Sequence, residues 1–112
     1  MARSVAETDW QRIVILYEAL GRLTPSPVIE LNRAVAVAMA TGPAEGLELV
    51  DAISSRGELT GSHLLPAIRG EMLTRLGRRD EARSAFLQAV ELCRNAAERA
   101  ALERKIDGVS QP

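Results

Sequence analysis

Few residues in the chain have side chains suited to chemistry. His63 is the single histidine and Cys93 the single cysteine. Acid–base or nucleophilic catalysis needs such a group held against a partner. The sequence places no partner near His63, which reads as a surface residue at a helix start. A metal site needs three or four clustered ligands. One His and one Cys, 30 positions apart, make no recognisable metal motif. Cys93 falls on the apolar face of a predicted helix and reads as a small buried residue. The carboxylates Glu30, Glu45, Glu48, Asp51, Glu71, Glu81, Glu91, Glu98 and Glu103 fall on predicted polar faces and read as solvated surface. Gly42-Pro43-Ala44-Glu45-Gly46 lacks the Lys-Ser/Thr pair of a phosphate-binding loop. The expectation is a chain with no catalytic residue, no cofactor and no metal.

Polar residues inside apolar segments are better candidates, and the chemistry they offer is recognition. Asn32-Arg33 interrupts a stretch rich in alanine and valine. Either Asn32 satisfies a neighbouring loop or helix end, or the pair faces a groove and holds a peptide backbone or carboxylate. Arg69 and Arg99 pose the same choice. With Tyr17 they complete a candidate protein-binding set: Asn32, Arg33, Arg69, Tyr17 and Arg99.

Composition narrows the classes. The length of 112 residues suits one domain. Apolar residues make up 46% of the chain but aromatics only 3%, so the core must be built of Leu, Val, Ile and Ala, which suits close helix contacts. Fourteen basic residues are interleaved with fifteen acidic ones for a net charge of −1, as in Arg78-Arg79-Asp80-Glu81. Binding to nucleic acid by counterion release needs a local excess of Lys and Arg, so none is expected. No apolar run approaches the ~20 residues of a membrane span. The opening residues show no charged start followed by an apolar run, so no signal peptide is expected. A cytoplasmic protein is expected, the lone cysteine being compatible with a reducing compartment.

The elements that must position these residues are helices, punctuated by Gly and Pro. Residues 1–7 read as a linker or disordered lead-in. Thr8, with Gln11 three residues on, looks like a capping box, and the helix that follows carries Trp10, Ile13, Tyr17 and Leu20 on one face. Thr24-Pro25-Ser26-Pro27 ends it and restarts the chain, with Ser26 as cap and Pro27 in the first turn. The next helices are expected over about 27–41, 43–55, 63–76 and 80–93. Asn95-x-x-Glu98 opens a sixth helix, to about Ile106, and 108–112 reads as a disordered tail. The domain is thus expected over 8–107, all-α, with about six antiparallel helices in three hairpins.

Residues 63–96 carry a further pattern. Gly70 in one helix, and Ala82, Phe86 and Ala89 in the next, fall where two helices would touch. This is the A-x3-F arrangement of a tetratricopeptide repeat, a helix–turn–helix of about 34 residues. At an offset of 36 residues, Gly46 falls opposite Ala82, Ala34 opposite Gly70, Val50 opposite Phe86 and Ile53 opposite Ala89. The expectation is a short right-handed superhelix of two repeats with a covering helix at each end.

A family resemblance rests on Thr8-Asp9-Trp10, Leu16-Tyr17, Pro25-Ser26-Pro27-Val28, Leu31-Asn32-Arg33-Ala34-Val35-Ala36-Val37-Ala38 and Gly42-Pro43. Leu76-Gly77-Arg78, Glu81-Ala82, Asn95 and Glu98-Arg99 continue it. Over most of 8–106 the chain resembles the C-terminal tetratricopeptide-like domain of a subgroup of bacterial extracytoplasmic-function sigma factors. It departs from them at Gly61-Ser62-His63, where an aromatic would precede the histidine. The resemblance implies a non-catalytic regulatory domain within a longer cytoplasmic protein, controlling transcription initiation through protein contacts. Its partner would be its own upstream sigma regions, the RNA polymerase core or a regulator, and a dimer is left open. The alternative is a generic scaffold or adaptor unrelated to transcription. Sigma regions upstream in the full-length sequence would decide for the first.

Overall fold

The computed structural model describes residues 9–110. Six helices follow in chain order: α1 Trp10–Leu23, α2 Pro27–Ala40, α3 Pro43–Ser55, α4 Leu64–Arg75, α5 Arg79–Leu92 and α6 Ala96–Ser110. No strand occurs among the described residues. Each helix packs on the one before and the one after it, with a weaker contact of α2 with α4. Most connections are of two or three residues, which forces neighbours to run antiparallel. The resulting stack measures 38 × 35 × 25 Å. The fold is all-α and built of helical hairpins.

Local chemistry sets the helix ends. The Ser26 hydroxyl accepts from the Val28 N–H at 3.2 Å, with Pro27 in the first turn. Asn95 Oδ1 accepts from the Glu98 N–H at 3.0 Å and opens α6. The predicted cap at Thr8 lies outside the described residues. Asp9 caps α1 instead, its carboxylate accepting from the Arg12 N–H at 3.1 Å, while Gln11 reaches across to the Ala40 carbonyl at 3.3 Å. Helix α6 runs on to Ser110, past Ile106, because Ile106 and Val109 pack against the core and hold its last turns. Residues 108–110 are therefore helix, not tail.

Two C-termini close in the same way. Gly57 and Gly77 adopt φ of 74° and 76°, a left-handed conformation that costs a residue without Cβ little. Arg78 N–H then bonds the Leu73 carbonyl at 2.9 Å and Glu58 N–H bonds Ile53 at 3.3 Å, the six-to-one closure of a Schellman motif. Glycine thus ends α3 and α4 where the chain must turn.

Residues paired by the repeat alignment are all buried: Ala34, Val50, Ile53, Phe86, Ala82 and Ala89 are at most 1% exposed, and Gly46 and Gly70 lie with them. Small residues allow helix approach in both units, but on opposite helices. A Cβ on Gly46 of α3 would stand 2.7 Å from the Ala38 Cβ of α2, whereas Gly70 of α4 lies under the Phe86 ring of α5. Outside the core, Arg56 bonds Glu58 at 2.7 Å and pairs with Glu30 of α2. The Glu58 hydrogen bond first, and then Glu30, raise the Arg56 pKa. A guanidinium is charged at any working pH, so this shift does not change the state of Arg56.

The cap at Ser26 gives a modest test of this account. Ser26→Ala is expected to cost about 1 kcal/mol, read as a melting temperature lower by about 4–8 °C for a domain of this size. An unchanged melting curve would mean that Pro27 alone sets the start of α2.

Candidate functional site

The end helix α1 has only α2 to pack on, so its burial is one-sided. Ile13, Val14, Tyr17 and Gly21 are half-buried towards α2, and no residue of α1 is fully buried. Leu16, Leu20 and Leu23 recur at i, i+4 and i+7, a spacing that puts them on one face. They are 60%, 43% and 82% exposed, with Ile15 beside them at 62%. The predicted apolar face of this helix therefore divides. Tyr17 turns inward, while Leu20 stays outside because no helix precedes α1 among the described residues.

Between α1 and α2 lies an open cleft lined by Tyr17, Glu18, Arg22, Ile29, Glu30 and Arg33. Two of the predicted binding residues, Tyr17 and Arg33, thus share one site. Asn32 is exposed on the next face of α2, in register with Val35 and Met39 at i+3 and i+7. Val35 and Met39 face α4 across a small, mainly apolar cleft with Ile68, Met72 and Arg75, where Arg75 Nη1 lies 3.0 Å from Met39 Sδ. Neither the Asn32 nor the Arg33 side chain makes a hydrogen bond or ion pair within the described residues. Both remain available to a partner.

The other two predicted residues are already occupied. Arg69 Nε donates to Asp51 Oδ1 at 2.8 Å and ties α4 to α3. Both side chains are about a third to a half exposed, so the pair is worth no more than about 1 kcal/mol. Arg99 Nη2 donates to the Cys93 carbonyl at 2.8 Å, closing the end of α5. The five residues do not form one site: Tyr17 and Arg33 meet, Asn32 lies alongside, and Arg69 and Arg99 serve the fold.

A second constellation brings together residues that the sequence reading kept apart. His63 precedes α4, Cys93 caps α5 and Glu98 lies in the first turn of α6. His63 Nε2 stands 2.8 Å from Glu98 Oε2, and Cys93 Sγ stands 3.8 Å from the same oxygen. All three donor atoms lie within 4.8 Å of one another. Cys93 is buried as expected, at 1% exposure, yet it lines the same open cleft as His63, Asn95, Glu98 and Arg99. The reading of His63 as a residue without partners is thus corrected. Its partner is 35 positions away, beyond the reach of any local motif, and only the packing of α4, α5 and α6 joins them.

Comparison with known proteins adds one relative. The chain is 46% identical over 101 residues to an uncharacterized protein of Rhizobium meliloti (strain 1021). The match covers 90% of this chain and 23% of that protein, so the chain spans about a quarter of the relative's length. No protein-family model and no solved structure matches the chain. Among the described residues, no helix is long and apolar enough to cross a membrane.

Proposed function

We propose that this chain is a non-catalytic, protein-binding regulatory domain of a bacterial alternative sigma factor, working in the cytoplasm and modulating transcription initiation through contacts with the sigma regions or another protein. The observation that carries the binding role is the exposed apolar face of α1, which no other described element covers. Four large aliphatic side chains, Ile15, Leu16, Leu20 and Leu23, are 43–82% exposed on a single helix. Large apolar side chains left exposed along one helix are the kind of feature that marks interaction surfaces. Asn32 and Arg33, unbonded on α2, supply polar anchors that could fix the register of a partner. The resemblance through Pro25–Ala38 supplies the sigma-factor context, and the much longer relative is consistent with a domain that works beside other segments.

Two double variants of the full-length factor test the reading. Leu20→Asp with Leu23→Asp, and Asn32→Ala with Arg33→Ala, alter exposed or unbonded side chains. Each is expected to shift stability by no more than about 0.5 kcal/mol and to leave the helical circular dichroism unchanged, while lowering transcription from the factor's promoters. Normal transcription in both variants would refute the proposal. Loss of helicity would instead make these residues structural.

A further inference from the structure

The geometry points to a metal site: we propose that His63, Cys93 and Glu98 bind one zinc ion, with a fourth coordination position open to water or an external ligand. Imidazole nitrogen, thiolate sulfur and carboxylate oxygen are three of the donors zinc takes, and a thiolate in the set selects against magnesium and calcium. Zinc bonds of about 2.3 Å to sulfur and about 2.0–2.2 Å to nitrogen and oxygen put tetrahedral ligand atoms about 3.3–3.7 Å apart. The donor atoms here lie at 2.8 Å and 3.8 Å from the shared Glu98 oxygen, with none more than 4.8 Å from another. The two separations from Glu98 bracket that tetrahedral range.

The surroundings suit the assignment. Backbone contacts fix two of the three ligands: Arg99 holds the Cys93 carbonyl, and Asn95 Oδ1 holds the Glu98 N–H. Cys93 Sγ lies 3.4 Å from the Asn95 carbonyl, to which its S–H donates. On binding, the thiol proton passes to solvent, sulfur bonds the metal, and that hydrogen bond is released. The thiol is too enclosed, at 1% exposure, to attack a bulky electrophile, whereas an ion can reach it along the cleft walled by His63 and Glu98. Because its ligands come from the starts of α4 and α6 and the end of α5, a bound ion would pin the last three helices at one end of the stack.

The test is titration of the purified, chelator-treated chain with cobalt(II), followed by zinc chloride. With one cysteine and one histidine in the chain, the spectra assign themselves. The expected result is a complex of one ion per chain with the visible bands of tetrahedral cobalt and a near-ultraviolet thiolate charge-transfer band, both lost on adding zinc. Cys93→Ser should abolish the charge-transfer band. His63→Gln and Glu98→Gln should each weaken binding by about tenfold or more, with circular dichroism confirming that the variants are folded. Glu98 is exposed, so its variant keeps the test open if Cys93→Ser does not fold. Absence of the thiolate band, binding by His63→Gln and Glu98→Gln as tight as wild type, or one ion per two chains would overturn the proposal.

Discussion

Phe86→Ala is expected to destabilise the domain by about 3–5 kcal/mol, the cost of deleting a fully enclosed aromatic ring. Phe86 is the one phenylalanine of the chain, 1% exposed, and the largest of its fully buried side chains. It lies between α4 and α5, and Lys105 of α6 stands 6.0 Å over the ring centroid. Total stability of a small domain is about 5–15 kcal/mol, so about a fifth of it or more would go. Urea denaturation should show the midpoint falling sharply with an unchanged slope. A loss of under about 1 kcal/mol would mean that the ring is not the centre of the core.

Gly70→Leu is expected to cost about 3 kcal/mol or more, at or above the upper end of ordinary overpacking. Even a single Cβ at this position would stand 2.6 Å, 2.7 Å and 2.9 Å from three Phe86 ring atoms. For this reason Gly70→Ala should also destabilise, although alanine gains about 1 kcal/mol over glycine in helix propensity. Giving way would push the buried ring off its packing and towards the cleft it lines with Lys105 and Val109. The clash should vanish when the ring shrinks: Gly70→Ala with Phe86→Leu is expected to be less destabilised than the sum of its parts, by a coupling of about 0.5–3 kcal/mol. Strict additivity in thermal or urea unfolding would show that the two positions do not touch.

Much of this fold is legible in the chain itself, since helix starts and stops are local chemistry. Ser26-Pro27, Gly42-Pro43, Gly77 and Asn95 mark boundaries within about two residues of where the structure puts them. The repeat is legible because small residues must recur wherever helices touch, and Gly46, Gly70, Ala82 and Ala89 all lie in such contacts. The extent of α6 was not legible. Gly108 reads as a helix end, but Ile106 and Val109 pack on the core and carry the helix through it.

The candidate site was harder to read, because a local pattern does not say which partner a polar side chain meets. Arg69 looks the same in sequence whether it pairs with Asp51, 18 positions back, or points to solvent. The meeting of Tyr17 with Arg33 follows from the tight turn at Thr24–Ser26 and could have been inferred from it. His63, Cys93 and Glu98 come from three elements, and one rule could have drawn attention to them. In a stack with short loops, alternate turns cluster at one end, which places the loop before α4 beside the turn between α5 and α6.

The binding role of the α1 face is the central claim, and isothermal titration of the purified chain tests it most directly. Under the proposed sigma-factor reading, the titrants are sigma regions of the longer protein and, separately, core RNA polymerase. A saturable one-to-one complex with either is predicted, lost in the Leu20→Asp, Leu23→Asp variant while the chain keeps its helical circular dichroism. No binding to either, or binding that the α1 substitutions leave unchanged, would contradict it.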